Sequence, residues 1–460
     1  MSERHLSEKS TVLLVVCLSA FSMPVMLSAT NVAIPIVANQ FSLSATQIAW
    51  IPMSYLMASV MFVLIFGSLA DVFGKKKIFL VGILVLCFSS IFVAFANSAT
   101  VLMLGRFLQG VGAAMLYATQ TALVSSVYPA KERGKAIGIT LSAVYLGLAV
   151  GPSLGGLIME YLNWRLNFVL HLPLALIILV LLHKVPNDSE SKLLEEFKFD
   201  KTGASLYMAS IVLLCFGVSS LPSSNSLVLL SLFLITVALF VSHSLKHSFP
   251  IWNLRIFRNN KMLTKSCLAS YMMYSATYSN VVILSLYLQD LKQLSASQAG
   301  LIMSLQHATM AILSSVSGKL SDVIEPRLLA TLGMLIASCS LFTLSVLASS
   351  DVSIYFIAVL VLVGIGFSLF SSPNTNAIMS SVVKENYGLA ASTAASTRNL
   401  GQLSSIFLVS FSMSFIVGDQ LITREIFPSL LEAIELSFLI AGSLCMLGAI
   451  LSATRGKMHG

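Results

Sequence analysis

Gly67-Ser68-Leu69-Ala70-Asp71-Val72-Phe73-Gly74-Lys75-Lys76-Lys77 separates two apolar runs, at about 46–70 and 78–97. Each run is long enough to cross a bilayer as a helix, which takes about 20 apolar residues. An acid, glycines and three consecutive lysines in so short a gap make a turn between two spans. The lysine cluster places that turn on the cytoplasmic side, where loops carry an excess of Lys and Arg. Later in the chain Gly318-Lys319-Leu320-Ser321-Asp322 repeats the Gly-x-Leu-x-Asp spacing. Two such turns, each closing one apolar helix and opening the next, predict a duplicated membrane protein.

Composition agrees. Of 460 residues, 57% are hydrophobic and 10% charged, against about 25% charged in ordinary globular chains. A soluble domain could not hide that much apolar side chain, so the fold class is an all-α polytopic membrane protein. The net charge of +8 does not point to nucleic acid, because the basic residues sit in short loops between spans and read as topology signals. All six cysteines fall within apolar runs without metal-type spacing and read as core thiols. Arg4 and Lys9 precede the first run, which continues to about Val37. That is longer than the 7–15 residues of a signal-peptide core, so it reads as the first span.

Fourteen runs of spanning length are expected, at about 11–37, 46–70, 78–97, 100–127, 136–158, 165–183, 203–220, 226–244, 262–289, 298–318, 328–347, 353–378, 388–416 and 433–453. An even number puts both termini on one side. With the N-terminus inside, twenty-one Lys and Arg fall in cytoplasmic segments and only Arg165, Lys292 and Arg424 outside. Both termini are therefore expected in the cytoplasm. The hydrophilic stretch from Lys184 to Gly203 reads as a solvated linker, with a short amphipathic helix at 193–199. The organisation that follows is an N-terminal six-helix bundle at 1–184, a linker with two extra helices at 185–261, and a C-terminal six-helix bundle with its tail at 262–460.

The motifs resemble those of the major facilitator superfamily, within it the fourteen-span drug:proton antiporters of the tetracycline and multidrug efflux type. The opening stretch is similar to the superfamily's loop between spans 2 and 3. Arg106, Gln109, Gly110, Gly112, Ala113 and Ala114 match its R-x-x-Q-G-x-G-A-A pattern, and Gly147, Gly151, Pro152, Gly155 and Gly156 match the antiporter pattern G-x-x-x-G-P-x-x-G-G. Further matches are Asn31-Val32-Ala33-Ile34-Pro35, Trp50 with Tyr55, Trp164-Arg165, Tyr287-Leu288-Gln289 and Thr397-Arg398-Asn399-Leu400-Gly401. They cover nearly the whole chain in order. The resemblance implies two six-helix halves that rock about a site near the midplane, export rather than import, and a part for Arg106 in proton transfer.

The residue chemistry supplies roles. Asp71 at the end of span 2 can face the N-terminus of span 11, whose unpaired N–H groups favour an anion, and so latch the halves together. Gly67, Gly74, Lys75 and Lys76 build that turn, and Asp322 is its counterpart. Small residues in span 4 let a neighbouring backbone approach, while Arg106 inside a span requires a cavity or a partner. Pro152 among its glycines permits a kink and close packing. Arg398 is a second interior cation; Lys265 reads as snorkelling to the surface. Many fourteen-span relatives carry an aspartate in span 1 where this chain has Met26. With no acid at the centre of a span, His171 and His307 are the candidate proton carriers, with Glu160 and Asp290 near outer ends as substitutes.

The expected function is a proton-driven exporter of drugs or small organic metabolites in the inner membrane. The alternative is an exporter or facilitator of an endogenous organic anion such as a siderophore. An interior with Arg and His but no central carboxylate suits anionic or zwitterionic cargo better than a simple cation. Partners are the substrate, protons and lipid, with no nucleic acid, and the protein is expected to be a monomer. No cofactor is implied: there is no Gly-rich loop followed by Lys-Ser/Thr for ATP. Intramembrane hydrolysis would need paired carboxylates, a Ser-His pair or a metal cluster, and the sequence presents none.

Overall fold

A computed structural model of the chain describes residues 2–185, 199–321, 323–349, 351–382 and 387–456. Among them twelve helices are long and apolar enough to cross a membrane. They are α1 (Glu8–Val32), α2 (Ala45–Phe73), α3 (Lys75–Ala94), α4 (Ala99–Val127), α5 (Lys135–Tyr161), α7 (Lys201–Ser219), α8 (Ser224–Lys246), α11 (Ala296–Leu320), α12 (Pro326–Leu347), α13 (Ile354–Ser380), α14 (Ser392–Val417) and α15 (Arg424–Ala453). The remaining numbers belong to α6 (Leu166–Leu182), α9 (Lys261–Thr277) and α10 (Asn280–Leu286).

The last three depart from the sequence expectation of fourteen unbroken spans. At 165–183 the helix is shorter and interrupted at Leu170 and His171, because Pro173 lacks an N–H and forces a new start there. At 262–289 the break falls at Tyr278 and Ser279, with no proline nearby. Instead the Ser405 hydroxyl accepts the Ser279 N–H at 2.9 Å and donates to the Ser279 hydroxyl at 2.8 Å, satisfying backbone that the helix leaves open. Residues 193–198 of the helix expected at 193–199 lie outside the described residues, as does Asp322.

Chain ends between helices are set by local chemistry. Gly74 has φ +94°, a conformation open to glycine, and this ends α2 and starts α3. Ser98 and Ser353 accept backbone N–H groups at the starts of α4 and α13. Leu43-Ser44-Ala45-Thr46-Gln47 and Leu294-Ser295-Ala296-Ser297-Gln298 each form a full capping box, and each follows a residue with positive φ, Ser42 or Gln293. Ser44 to Ser295 is the same distance along the chain as Gly67 to Gly318, so the repeat is written at both ends of the duplicated helix.

The packing repeats as well. α1 lies against α5 as α9 lies against α14; α2 against α4 as α11 against α13; α3 against α4 as α12 against α13. The two sets meet where α5 packs on α11 and α2 on α14. α7 docks on α2 and α14: the Tyr207 hydroxyl donates to the Val60 carbonyl at 3.1 Å, and Trp50 and Phe216 rings lie 4.9 Å apart. α8 packs on α7 and keeps Leu227, Val228, Leu234 and Ile235 exposed, an apolar surface for lipid.

Candidate functional site: a central cavity and a buried cation

A cavity of about 170 Å³ lies between the two sets of helices. Tyr55, Tyr117, Tyr145, Tyr274 and Tyr278 line it, with Asn31, Gln120, Gln306, His307, Arg398, Asn399 and Gln402 among them. No aspartate or glutamate lines it among the described residues. The wall is therefore aromatic and hydrogen-bonding, with Arg398 as its fixed positive charge. Asn31 Oδ1, Asn399 Nδ2 and the Tyr278 hydroxyl are buried with no protein partner, which is where a polar solute or water would bind. His307 donates Nδ1–H to the Met303 carbonyl at 3.2 Å, leaving Nε2 as its lone pair. A second cavity of about 120 Å³ shares Thr121, Tyr274 and Arg398 with the first and continues to Ile378 and Met379 at the end of α13. Arg398, half-buried, stands where the two cavities join.

On one face the two helix sets are closed over this cavity. Ala45 N–H donates to the Gln420 carbonyl at 2.9 Å, Thr46 donates to Asp419 at 2.9 Å, and Ser44 pairs with Leu421 as an isolated bridge. Gln289 donates to the Val32 carbonyl at 2.9 Å, and Ser295 to Glu160 at 3.1 Å. Hydrogen bonds from Ser44 and Thr46 hold the Asp419 carboxyl below its ordinary range. Burial instead pushes the Asp290 carboxyl, just past α10, up to about 6. The second cavity leads away from this sealed face, toward the face that carries Lys75, Lys76 and Lys77.

Arg106 belongs to a different environment. It is fully buried in α4, about two turns from the sealed-face end. Its guanidinium stacks on the Tyr55 ring at 4.7 Å and lies 5.9 Å from the Phe168 ring. Nε donates to the Ile51 carbonyl at 3.3 Å and Nη1 to Gln109 Oε1 at 2.8 Å, while Nη2 has no partner. Gln109 in turn donates to Ser90 at 2.7 Å, and Ser90 lies 3.5 Å from His171 Nε2. Both Gln109 and Ser90 touch the Met26 sulfur, at 3.6 and 3.8 Å. The chain Arg106–Gln109–Ser90–His171 thus converges on Met26, and Tyr55 walls it off from the cavity.

The glycines of α4 and α5 act through contact. A side chain at Gly110 would meet the Tyr55 carbonyl, which brings α2 against α4 beneath Arg106. On α5, Gly147, Gly151 and Gly155 face α1 at Phe21, Val25 with Ser28, and Ala29. Gly156 faces the Ala296 carbonyl of α11, and Gly300 of α11 faces the Pro152 carbonyl in return. One helix therefore holds close approaches to both halves at once, joined by Ser153–Ser304 at 2.7 Å and Tyr145–Ser371 at 2.5 Å.

A family model for the Major Facilitator Superfamily matches residues 16–406. The chain belongs to that superfamily. It is 28% identical over 97% of both chains to the riboflavin transporter RibZ of Clostridioides difficile. It is 29% identical to the multidrug resistance protein Stp of Mycobacterium tuberculosis, over 81% of this chain and 70% of that one. Among solved structures, the inward-open xylose transporter XylE of E. coli aligns with TM-score 0.68 at 13% identity, covering 98% and 97% of the two chains. A bacterial homologue of the human lysosomal transporter Spinster, inward-facing and unoccupied, aligns with TM-score 0.69 at 16% identity over 97% of each. The protein is a multi-pass transporter of the cytoplasmic membrane, not an enzyme, and its relatives fit the drug-efflux type.

The structure gathers the expected site residues of the helix interior into three places. Arg106, Gln109 and His171 share one network; Arg398 and His307 share the cavity; Glu160 and Asp290 stand near the sealed face. Asp71 is exposed on the last turn of α2, and Lys76 donates to the Val185 carbonyl at 2.6 Å, tying α3 to the end of α6. A side chain at Gly67 would meet nothing nearby, so packing does not require glycine there. The helix that contains α14 begins at Tyr387, and residues 383–386 just before it, next to the helix start that Asp71 is expected to face, lie outside the described set. Aromatic side chains of spans 2, 5 and 7 are expected in a cavity wall from the sequence, and Tyr55, Tyr145, Tyr274 and Tyr278 line it; Tyr117, Ser90 and the Asp419 seal are absent from the sequence expectation. A lone tyrosine or serine in an apolar helix is too common to single out.

Proposed function

We propose that the protein exports small aromatic organic molecules, neutral or anionic, by proton antiport with alternating access. The observation that carries this is the cavity: five tyrosines, buried amides and Arg398, without a carboxylate among the described residues. Tyrosines stack on planar rings and donate hydrogen bonds, and a guanidinium at the junction of the two cavities attracts negative charge. The sealed face and the cavity leading toward Lys75–Lys77 support a state loaded from the cytoplasm, given the charge bias of the loops. The riboflavin and multidrug names of relatives point to the same class of cargo.

In this reading α6 and the α9–α10 pair cross the membrane too, giving fourteen crossings, six, two and six, with both termini cytoplasmic and a monomer as the working unit. His307 in the cavity and His171 in the Arg106 network are the proton-carrying groups that replace the span-1 acid lost to Met26. Asp71 with Gly74, Lys75 and Lys76 forms the cytoplasmic latch that closes when the molecule opens outward. A second reading is favoured by Met26 alone: a facilitator or exporter of an endogenous organic anion without strict proton coupling.

Flux into proteoliposomes of riboflavin, an anionic fluoroquinolone-type probe and a monovalent dye cation, with and without an imposed pH gradient, tests this. Gradient-driven movement of the aromatic anion and neutral probes over the cation is expected. Flux indifferent to the gradient would replace the antiporter by the facilitator, and preference for the cation would overturn the substrate class.

A further inference from the structure

The two helices that no motif explains, α7 and α8, carry a cluster of ligand-type side chains at their ends on the lysine-bearing face. Asp200 caps the start of α7 and is buried. His243 and His247 lie one turn apart at the end of α8, and their rings stack with centroids 5.0 Å apart. His243 Nε2–H donates to Asp200 Oδ1 at 2.7 Å. One ligand atom from each of the three residues falls within 4.8 Å of the others. We propose that Asp200, His243 and His247 bind a divalent transition-metal ion of the zinc class.

Two imidazoles and a carboxylate are the donor set of borderline ions such as Zn²⁺ and Co²⁺; Ca²⁺ and Mg²⁺ require more oxygen. The carboxylate is already oriented. It accepts the Gly203 N–H at 2.8 Å and the Ile251 N–H at 3.2 Å, two backbone donors that fix its plane and leave lone pairs over. The histidines are held as well, since Arg255 donates to the Leu245 and His247 carbonyls at 3.0 and 2.9 Å and pins the end of α8. Trp252 packs edge-on against Tyr207 with centroids 6.4 Å apart, bringing the following strand of chain over the site.

The adjustment needed is small. Around a tetrahedral ion with bonds of about 2.0–2.1 Å, donor atoms lie about 3.3 Å apart. His243 and Asp200 must therefore separate by about half an ångström, and the ion takes the place of the Nε2 proton: an imidazolium releases it to solvent, and a neutral ring carries it on Nδ1 instead. His247 must turn inward. It is half-buried at the helix end, and one ring nitrogen accepts the exposed Phe249 N–H at 3.2 Å, a weak bond that water can take over. Three protein ligands leave a fourth position for water. The bound ion would clip α7, α8 and the segment leading to α9 into one unit, independent of what the cavity carries.

The full chain, purified in detergent and stripped with chelator, should bind one equivalent of Co²⁺ with the visible absorption of a tetrahedral nitrogen–oxygen site, and Zn²⁺ should displace it. Zn²⁺ should also raise the unfolding temperature, because only the folded chain brings the ligands together. His247→Gln and His243→Gln should each weaken binding by at least about 10-fold. Asp200→Asn keeps an oxygen to cap α7 and should weaken binding while the metal-free unfolding temperature stays close to that of the unaltered chain. No bound equivalent in the unaltered chain, or affinity unchanged in both histidine variants, would overturn the site.

Discussion

Arg106 and Arg398 are both cations inside the helix bundle, and their surroundings treat them in opposite ways. Arg106 is fully buried, stacked on Tyr55, bonded to Gln109 and Ile51, and shut off from the cavity. Arg398 is half-buried at the junction of two cavities. A buried charge costs several kcal/mol unless neighbours satisfy it; the first arginine is held by its neighbours, and the second lines open space. Within one set of superfamily motifs, burial and access separate an arginine bonded inside the protein from one that lines the cavities, the one the proposed function assigns to cargo.

The sharpest way to break this contrast is to remove each charge in turn. Arg106→Ala deletes the partner of Gln109 and Ile51 and leaves a void under Tyr55. It should cost about 2–4 kcal/mol of stability, read as a lower unfolding temperature in detergent, and abolish flux. An unfolding temperature and flux like those of the unaltered chain would erase its organising role. Arg398→Gln should leave the unfolding temperature within a few degrees. Flux of an anionic aromatic probe should fall about 10- to 100-fold, the worth of a hydrogen bond to a charged group, and that of a neutral analogue by less. Equal losses for both probes would remove Arg398 from cargo recognition.

The smallest effect concerns the seal above the two arginines. Ser44 and Thr46 lower the Asp419 carboxyl when the sealed face is closed, so closure favours the carboxylate. The contact is present above the ordinary carboxylate range and is lost as pH falls through the lowered value. Acid on that side should shift the population modestly toward the open arrangement, and Asp419→Asn should flatten the shift. Distances between spin labels at the α1–α2 and α14–α15 loops, followed against pH, read it directly. Labels that move identically in both proteins would separate the seal from Asp419.

Much of the architecture is legible without coordinates because apolar length and Lys/Arg placement act locally. Gly74 announces its turn by its residue type, and Arg106 is conspicuous as a charge in an apolar run. Ser44 and Ser295, with their glutamines three residues on, are equally readable capping boxes, and they mark the duplication more fully than the Gly-x-Leu-x-Asp echo. His243 and His247 stand at helical spacing, yet their acid lies in a different hydrophilic segment, so pairing them requires the fold. The breaks in α6 and between α9 and α10 differ in the same way. Pro173 foretells one, whereas the other depends on Ser405, a residue far along the chain.

The amino-acid sequence by itself determined that the chain is helical, membrane-spanning, duplicated and of the Major Facilitator Superfamily, since these follow from hydropathy, charge asymmetry and short motifs. Tertiary structure decided which polar residues meet: that Gln109 and Ser90 link Arg106 to His171, that five tyrosines face one cavity, that α5 presents glycines to both halves. The reason is physical. Burial and hydrogen bonding belong to pairs of helices distant in the chain, and an apolar helix looks the same in sequence on the side that meets lipid and the side that meets a partner.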